Sequence, residues 1–115
     1  MTLCPREKNR ILAWAKINTS GAVLSSFNVQ GCVKNSTGNY TVSFLKRFPN
    51  SDYCALFIAE DNSSSIAIPK IISKTQESVT MEFRGGTVNI LGIAVILNSV
   101  VDPSIGLNMI ICGDP

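Results

Sequence analysis

Apolar and polar side chains alternate with a period of two along much of this chain. Tyr40, Val42 and Phe44 fall on one side and Thr41 and Ser43 on the other, the pattern of a half-buried antiparallel strand. The Asn35-Ser36-Thr37-Gly38-Asn39 run before them is a turn. Val79, Met81 and Phe83 alternate in the same way with Thr80, Glu82 and Arg84. Gly85-Gly86 then separates that run from Thr87-Val88, and a two-glycine connection between strands predicts a type I′ hairpin there.

The remaining pattern predicts further short strands. Residues 13–17 form a first one, closed by the turn formers Asn18-Thr19-Ser20-Gly21. Residues 23–29 form a second, with Phe27 and Val29 inward and Asn28 and Gln30 outward. Cys32 and Val33 extend it past a kink at Gly31. A Pro49-Asn50-Ser51-Asp52 turn precedes residues 54–59, which are apolar on both faces and therefore expect cover on both. After the polar 60–65 loop, residues 66–72 form a strand whose Pro69 belongs at a sheet edge or a bulge. Residues 88–97 read as the most buried strand, and Asp102-Pro103-Ser104-Ile105-Gly106 turns the chain into a last one at 107–112. No run has the length and 3.6-residue period of a three-turn helix. The expected fold is all-β, an antiparallel β-sandwich or jelly-roll-like domain over residues 13–115, with residues 1–12 as a linker or N-terminal arm.

Composition sharpens this picture. At 115 residues a single domain buries enough surface to fold without metals or disulfides. Apolar residues make up 45% and charged residues 16%, lean in charge for a small domain that stays monomeric. A subunit partner is therefore expected to cover some of the apolar surface. The formal charge is +2 and the basic residues of the first half are dispersed, which argues against nucleic acid as a partner. Met1-Thr2-Leu3-Cys4-Pro5 runs directly into charged residues with no apolar leader region. The most apolar stretch is ten residues, too short to insert into a membrane.

Chemistry-bearing residues are sparse. There is no histidine, which removes the usual base of Ser-His and Cys-His catalysis and the commonest neutral metal ligand. Cys4, Cys32, Cys54 and Cys112 lack CxxC spacing. They read as free thiols, with Cys4 and Cys112 as the one terminal pair to test as a bridge. A glycosidase pair of Asp52 with Glu60 or Asp61 can be drawn, but these carboxylates read as solvated turn residues. The Glu60-Asp61-Asn62 loop lacks the spacing of a calcium loop. Four Asn-x-Ser/Thr triplets read as turns rather than glycan acceptors. Trp14 is a possible platform for sugar stacking, though the reading favoured by its place in the strand pattern is a core anchor. The chain is accordingly expected to be non-enzymatic and to need no cofactor.

One family resemblance is present. Ala13-Trp14, Asn18, Gly21, Ser26-Phe27-Asn28-Val29, Gly38-Asn39-Tyr40-Thr41-Val42-Ser43-Phe44 and Phe48-Pro49-Asn50-Ser51-Asp52-Tyr53 followed by Ala55 resemble, in order and spacing, a β-rich domain of tail-fibre and receptor-binding proteins of tailed bacteriophages. The match covers roughly residues 13 to 60. Most of its residues are core and turn positions, so it speaks for fold and setting. The resemblance implies a homotrimeric domain of the virion tail or an appendage, assembled in the host cytoplasm alongside other virion proteins. It also implies contact with a bacterial surface glycan or protein. The four cysteines and the lack of a long shaft depart from the pattern. Exposed loops at 35–39, 60–65 and 102–104 are the expected contact regions, with Asp61 and Asn62 the first residues to test. A capsid decoration or head-fibre module is the alternative, and a secreted carbohydrate-binding or Ig-like module with disulfides is the third.

Overall fold

A computed structural model describes residues 10–61, 66–89 and 94–114. The described residues form nine strands: β1 (Arg10–Asn18), β2 (Val23–Phe27), β3 (Val29–Ser36), β4 (Asn39–Phe44), β5 (Cys54–Glu60), β6 (Ile68–Lys74), β7 (Ser78–Asn89), β8 (Ala94–Val100) and β9 (Gly106–Gly113). They make two antiparallel sheets. One has the order β2-β1-β9-β5 and the other β3-β4-β7-β6, with β8 also paired to β7. The chain is all-β, as the alternation predicts.

The period-two pattern explains which side chains meet between the sheets. Ala13, Ala15 and Ile17 of β1, Ala55 and Phe57 of β5, and Leu107, Met109 and Ile111 of β9 face Tyr40, Val42 and Phe44 of β4 and Val79, Met81 and Phe83 of β7 in one buried cluster. Small alanines of one sheet sit in the same cluster as the rings of Tyr40, Phe44 and Phe83 and the thioether of Met81 from the other. Pro69 lies in β6, at the edge of its sheet, where a missing amide donor is tolerated.

Three expectations are corrected. First, residues 23–29 are not one strand. The chain leaves the first sheet after Phe27 and enters the second at Val29, pivoting on Asn28 at φ 56°. Asn28 holds this left-handed conformation because its side-chain amide donates to the Leu12 carbonyl (3.0 Å) and its side-chain oxygen accepts the Lys46 amide (2.9 Å). Phe27 consequently points outward.

Second, Gly85-Gly86 is not a hairpin. β7 continues through it with a register shift, pairing Gly85 with Ser99 and Thr87 with Ile96. Glycine is needed at 85 for close approach: a Cβ there would lie 2.6 Å from the Ile66 carbonyl oxygen and 2.7 Å from a Val101 methyl. Residues 88–97 are then not one buried strand. Val88 pairs with Val95 and Asn89 with Ala94 as two arms of a ribbon, whose connection lies outside the described residues. Beyond Arg84, β8 is the only strand paired with β7 among the described residues.

Third, Trp14 is no core anchor. Its neighbours Ala13 and Ala15 take the inward positions and the indole faces out. Cys54 also points outward and is exposed, because Ala55 and Phe57 occupy the inward positions of β5.

The two glycines at 31 and 85 make opposite predictions. Gly85→Ala should cost about 2–3 kcal/mol through overpacking against backbone, whereas Gly31→Ala, whose Cβ would meet nothing within 4 Å, should stay within about 0.5 kcal/mol of the parent. Urea unfolding of both variants checks this, and equal losses would contradict the close-approach account.

Candidate functional site

The described residues of the three loops singled out from sequence, 35–39, 60–61 and 102–104, converge at one end of the sheets, joined by hydrogen bonds between side chains and backbone. The loop between β8 and β9 carries Asp102. Its Oδ1 accepts the Gly38 amide (2.7 Å) from the β3–β4 turn and its Oδ2 accepts the Lys34 ammonium (2.7 Å) from β3. Tyr40 donates its hydroxyl to the Thr19 carbonyl (2.7 Å) in the β1–β2 turn, with Asp102 Oδ1 at 3.4 Å. Four chain segments thus meet at one carboxylate and one phenol. Gly38 has φ 69°, and a Cβ there would lie 2.5 Å from the Val101 carbonyl oxygen, so this turn can approach the 101–105 loop only as glycine.

Electrostatics follow from that geometry. Burial alone would raise the Asp102 carboxyl, but the Lys34 ammonium and the Gly38 amide outweigh it and hold the group below the usual carboxylate range. The Tyr40 phenol is pushed well above its ordinary value, by burial first and by the Asp102 charge second. Cys32 is pushed up to about 11 by burial, which makes it a poor nucleophile. These residues hold loops together and offer no activated base.

Asp61 sits at the same end. Its Oδ1 accepts the Ser104 amide (2.8 Å) and hydroxyl (3.1 Å), and its Oδ2 accepts the Ala67 amide (3.1 Å). The carboxylate therefore pins the 101–105 loop to the start of β6, beside the bond from the Ile105 amide to the Glu60 carbonyl (2.9 Å). Asn62 lies outside the described residues, as does Cys4 of the terminal cysteine pair. Cys32, Cys54 and Cys112 are free thiols, and Cys54 stands directly opposite Cys112 across β5 and β9.

Asp52 and Glu60 do not come together. They lie beyond or at opposite ends of β5, roughly 20 Å or more apart at ~3.3 Å per residue, far beyond the spacing of an acid–base pair. Glu60 instead accepts the Asn108 side-chain amide (2.8 Å). No group of three or more metal-ligating side chains gathers among the described residues. Asn18 folds its side-chain oxygen back onto the amides of Ser20 (3.0 Å) and Ala22 (2.9 Å), the turn role its triplet suggested.

The opposite end is differently built. Phe44, Phe48 and Tyr53 form an aromatic trio with centroids 4.3–5.8 Å apart. Tyr53 directs its hydroxyl at the Thr75 and Ser78 carbonyls (2.8 and 3.0 Å), and burial pushes its phenol up to about 12. A groove of about 530 Å³ opens beside the trio, with Leu12, Phe27, Leu45 and Phe48 on its walls and Arg10, Lys46 and Arg47 around it. Sequence reasoning located the loops but missed the Lys34–Asp102–Tyr40 junction and this groove, since both join residues distant in sequence.

Comparison with protein-family models, with curated proteins and with solved structures finds no match.

The depressed Asp102 pKa fixes the sign of a pH effect. Its bonds contribute fully above the ordinary carboxylate pKa and are lost as pH falls through the lower folded-state value. With the carboxylate about one third exposed, Asp102→Asn should lower unfolding free energy by about 1 kcal/mol at pH 7. The difference from the parent should shrink below about pH 4. Urea unfolding at pH 7, 4 and 3 checks it, and a difference that grows on acidification would contradict the assignment.

Proposed function

We propose that this chain is a non-enzymatic attachment domain of a tailed-phage virion, a tail-fibre or receptor-binding domain that meets a bacterial surface glycan or protein. On this reading it is a jelly-roll-like β-sandwich that works as a homotrimer among other virion proteins, assembled in the host cytoplasm. The observation that carries the reading is the gathering of the 35–39, 60–61 and 102–104 segments at one end, tied by Asp102 and Asp61. A firmly held end with exposed Ser20, Thr37 and Ser104 suits contact by several polar groups, multiplied by avidity across three copies. The motif resemblance supplies the setting.

The motif residues support the fold half of the proposal. Asn18 closes a turn, Asn28 makes the passage between sheets, Tyr40 joins core to loops, and Tyr53 closes the far end. The strand order β1-β9-β5 beside β4-β7-β6 puts the first and last described strands in one sheet, an arrangement compatible with a jelly roll.

Capsid decoration remains the second reading, favoured by the apolar side chains on the outside of one sheet. Labelled protein applied to a panel of bacterial cells separates the two. Attachment predicts saturable binding to some strains, weakened at least tenfold by Thr37→Arg at the loop end. Absence of binding across the panel, with binding to purified capsids instead, would contradict attachment.

A further inference from the structure

The two outer sheet faces have opposite character. On the outside of β3-β4-β7-β6, Thr41 and Thr80 share a hydroxyl hydrogen bond (2.8 Å), Asn35 donates to Thr41 (2.8 Å), and Arg84 pairs with Glu82 (3.2 Å). Apart from the separated Val33 and Ile68, that face satisfies itself with polar cross-strand pairs. The outside of β2-β1-β9-β5 does not. Phe27 pairs with Trp14, Trp14 with Ile110, and Ile110 with Leu56, so one row crosses all four strands with exposures of 52, 38, 43 and 57%. The adjoining rows add Ile58 on β5 and Ile11 on β1, the latter beside the Cys112–Cys54 pair.

We propose that this face is where copies of the chain associate, a placement that rests on the oligomeric reading above and assigns it a surface. With large side chains presenting ~150–250 Å² each, these six residues expose roughly 600 Å² of apolar surface. That is the upper limit of the largest patch on an ordinary monomer, and most of the ~800 Å² that one partner gives a standard interface. The face is an open sheet surface, suited to the same face of neighbouring copies gathered about a common axis rather than to an enclosed small molecule. Four of the six residues are aliphatic, which fits protein packing better than sugar stacking. The face also carries both signs of charge, Lys16 in the next row and Glu60 at the end of β5. A copy of the same face supplies an opposite charge for each, whereas an acidic polymer would meet Glu60 with repulsion.

Sedimentation equilibrium on the full chain tests the assignment with three variants. Leu56→Lys and Ile58→Glu place charge on the row and its neighbour, while Val33→Lys places it on the outside of the polar sheet, since Val33 pairs with the outward Thr41. The expected result is a mass near three chains of 12.4 kDa for the parent and for Val33→Lys, and a single chain for the other two with an unchanged β circular dichroism spectrum. Ile58→Glu, the more exposed position, carries the test if Leu56→Lys fails to fold. A folded Leu56→Lys or Ile58→Glu that stays assembled would overturn the face while leaving an oligomeric virion domain standing. A parent monomeric at 100 µM would overturn association itself, and cell binding would then judge the attachment reading separately. Retention of a monomeric parent on insoluble polysaccharide, lost in Leu56→Lys, would overturn it in favour of a glycan platform.

Discussion

The Asp102 carboxylate is the constraint on which the loop end depends. It sits in the connection between β8 and β9, yet its bonds reach β3 through Lys34 and the β3–β4 turn through Gly38. Tyr40 extends the junction to the β1–β2 turn by donating to Thr19. Each bond is modest by itself. Together they join turns belonging to both sheets, so loops that would otherwise move independently are held as one end. The ring of Tyr40 is fully buried and meets Phe83 edge-on at 6.0 Å, so the polar junction is continuous with the core beneath it.

From that end downward, the packing is governed by parity. β1 gives alanines to the inside at 13 and 15, and this lets the two sheets close on the large residues of β4 and β7. The same parity sends Trp14 and Lys16 outward. Because β2, β9 and β5 pair with β1 or with each other in register, the outward residues line up as rows. The apolar outer face is thus a direct consequence of how the core is filled. A bulky residue at position 13 or 15 would push the sheets apart, and an indole at position 14 has only the outside to occupy. On the proposed association, low charge content and a two-sided apolar β5 have one common physical explanation, a face that another copy covers.

The strands were legible where alternation was clean. Tyr40-Thr41-Val42-Ser43-Phe44 and Val79 to Phe83 specify both a strand and its buried side, because polar and apolar residues compete for different faces. Legibility failed where both faces are apolar or where a glycine had two meanings. Cys54 to Ala59 was recognised as a strand, but nothing local says that Cys54, Leu56 and Ile58 are the outward set. Phe27 and Val29 have the same local parity, and only the bonds from Asn28 to Leu12 and Lys46, sixteen and eighteen residues away, show that the chain changes sheets between them. Gly85-Gly86 carried the signal of a turn, while its actual requirement comes from Ile66 and Val101 pressing on position 85. The loop cluster was legible as three separate polar segments. That Asp102 and Asp61 tie them together was not, since hydrogen bonds spanning 64 and 43 residues leave no trace in a local window.

Trp14 is the lone tryptophan and occupies the middle of the apolar row, so it reports directly on whether that face is covered. Acrylamide quenching of its fluorescence, measured on the unmodified chain from nanomolar concentration up to 100 µM, reads this without any substitution. A face covered by other copies gives a blue-shifted, poorly quenched indole at high concentration that becomes red-shifted and readily quenched as the assembly is diluted apart. An indole equally open to quencher at every concentration would contradict it, and would leave the outer face of the β2-β1-β9-β5 sheet bare to solvent.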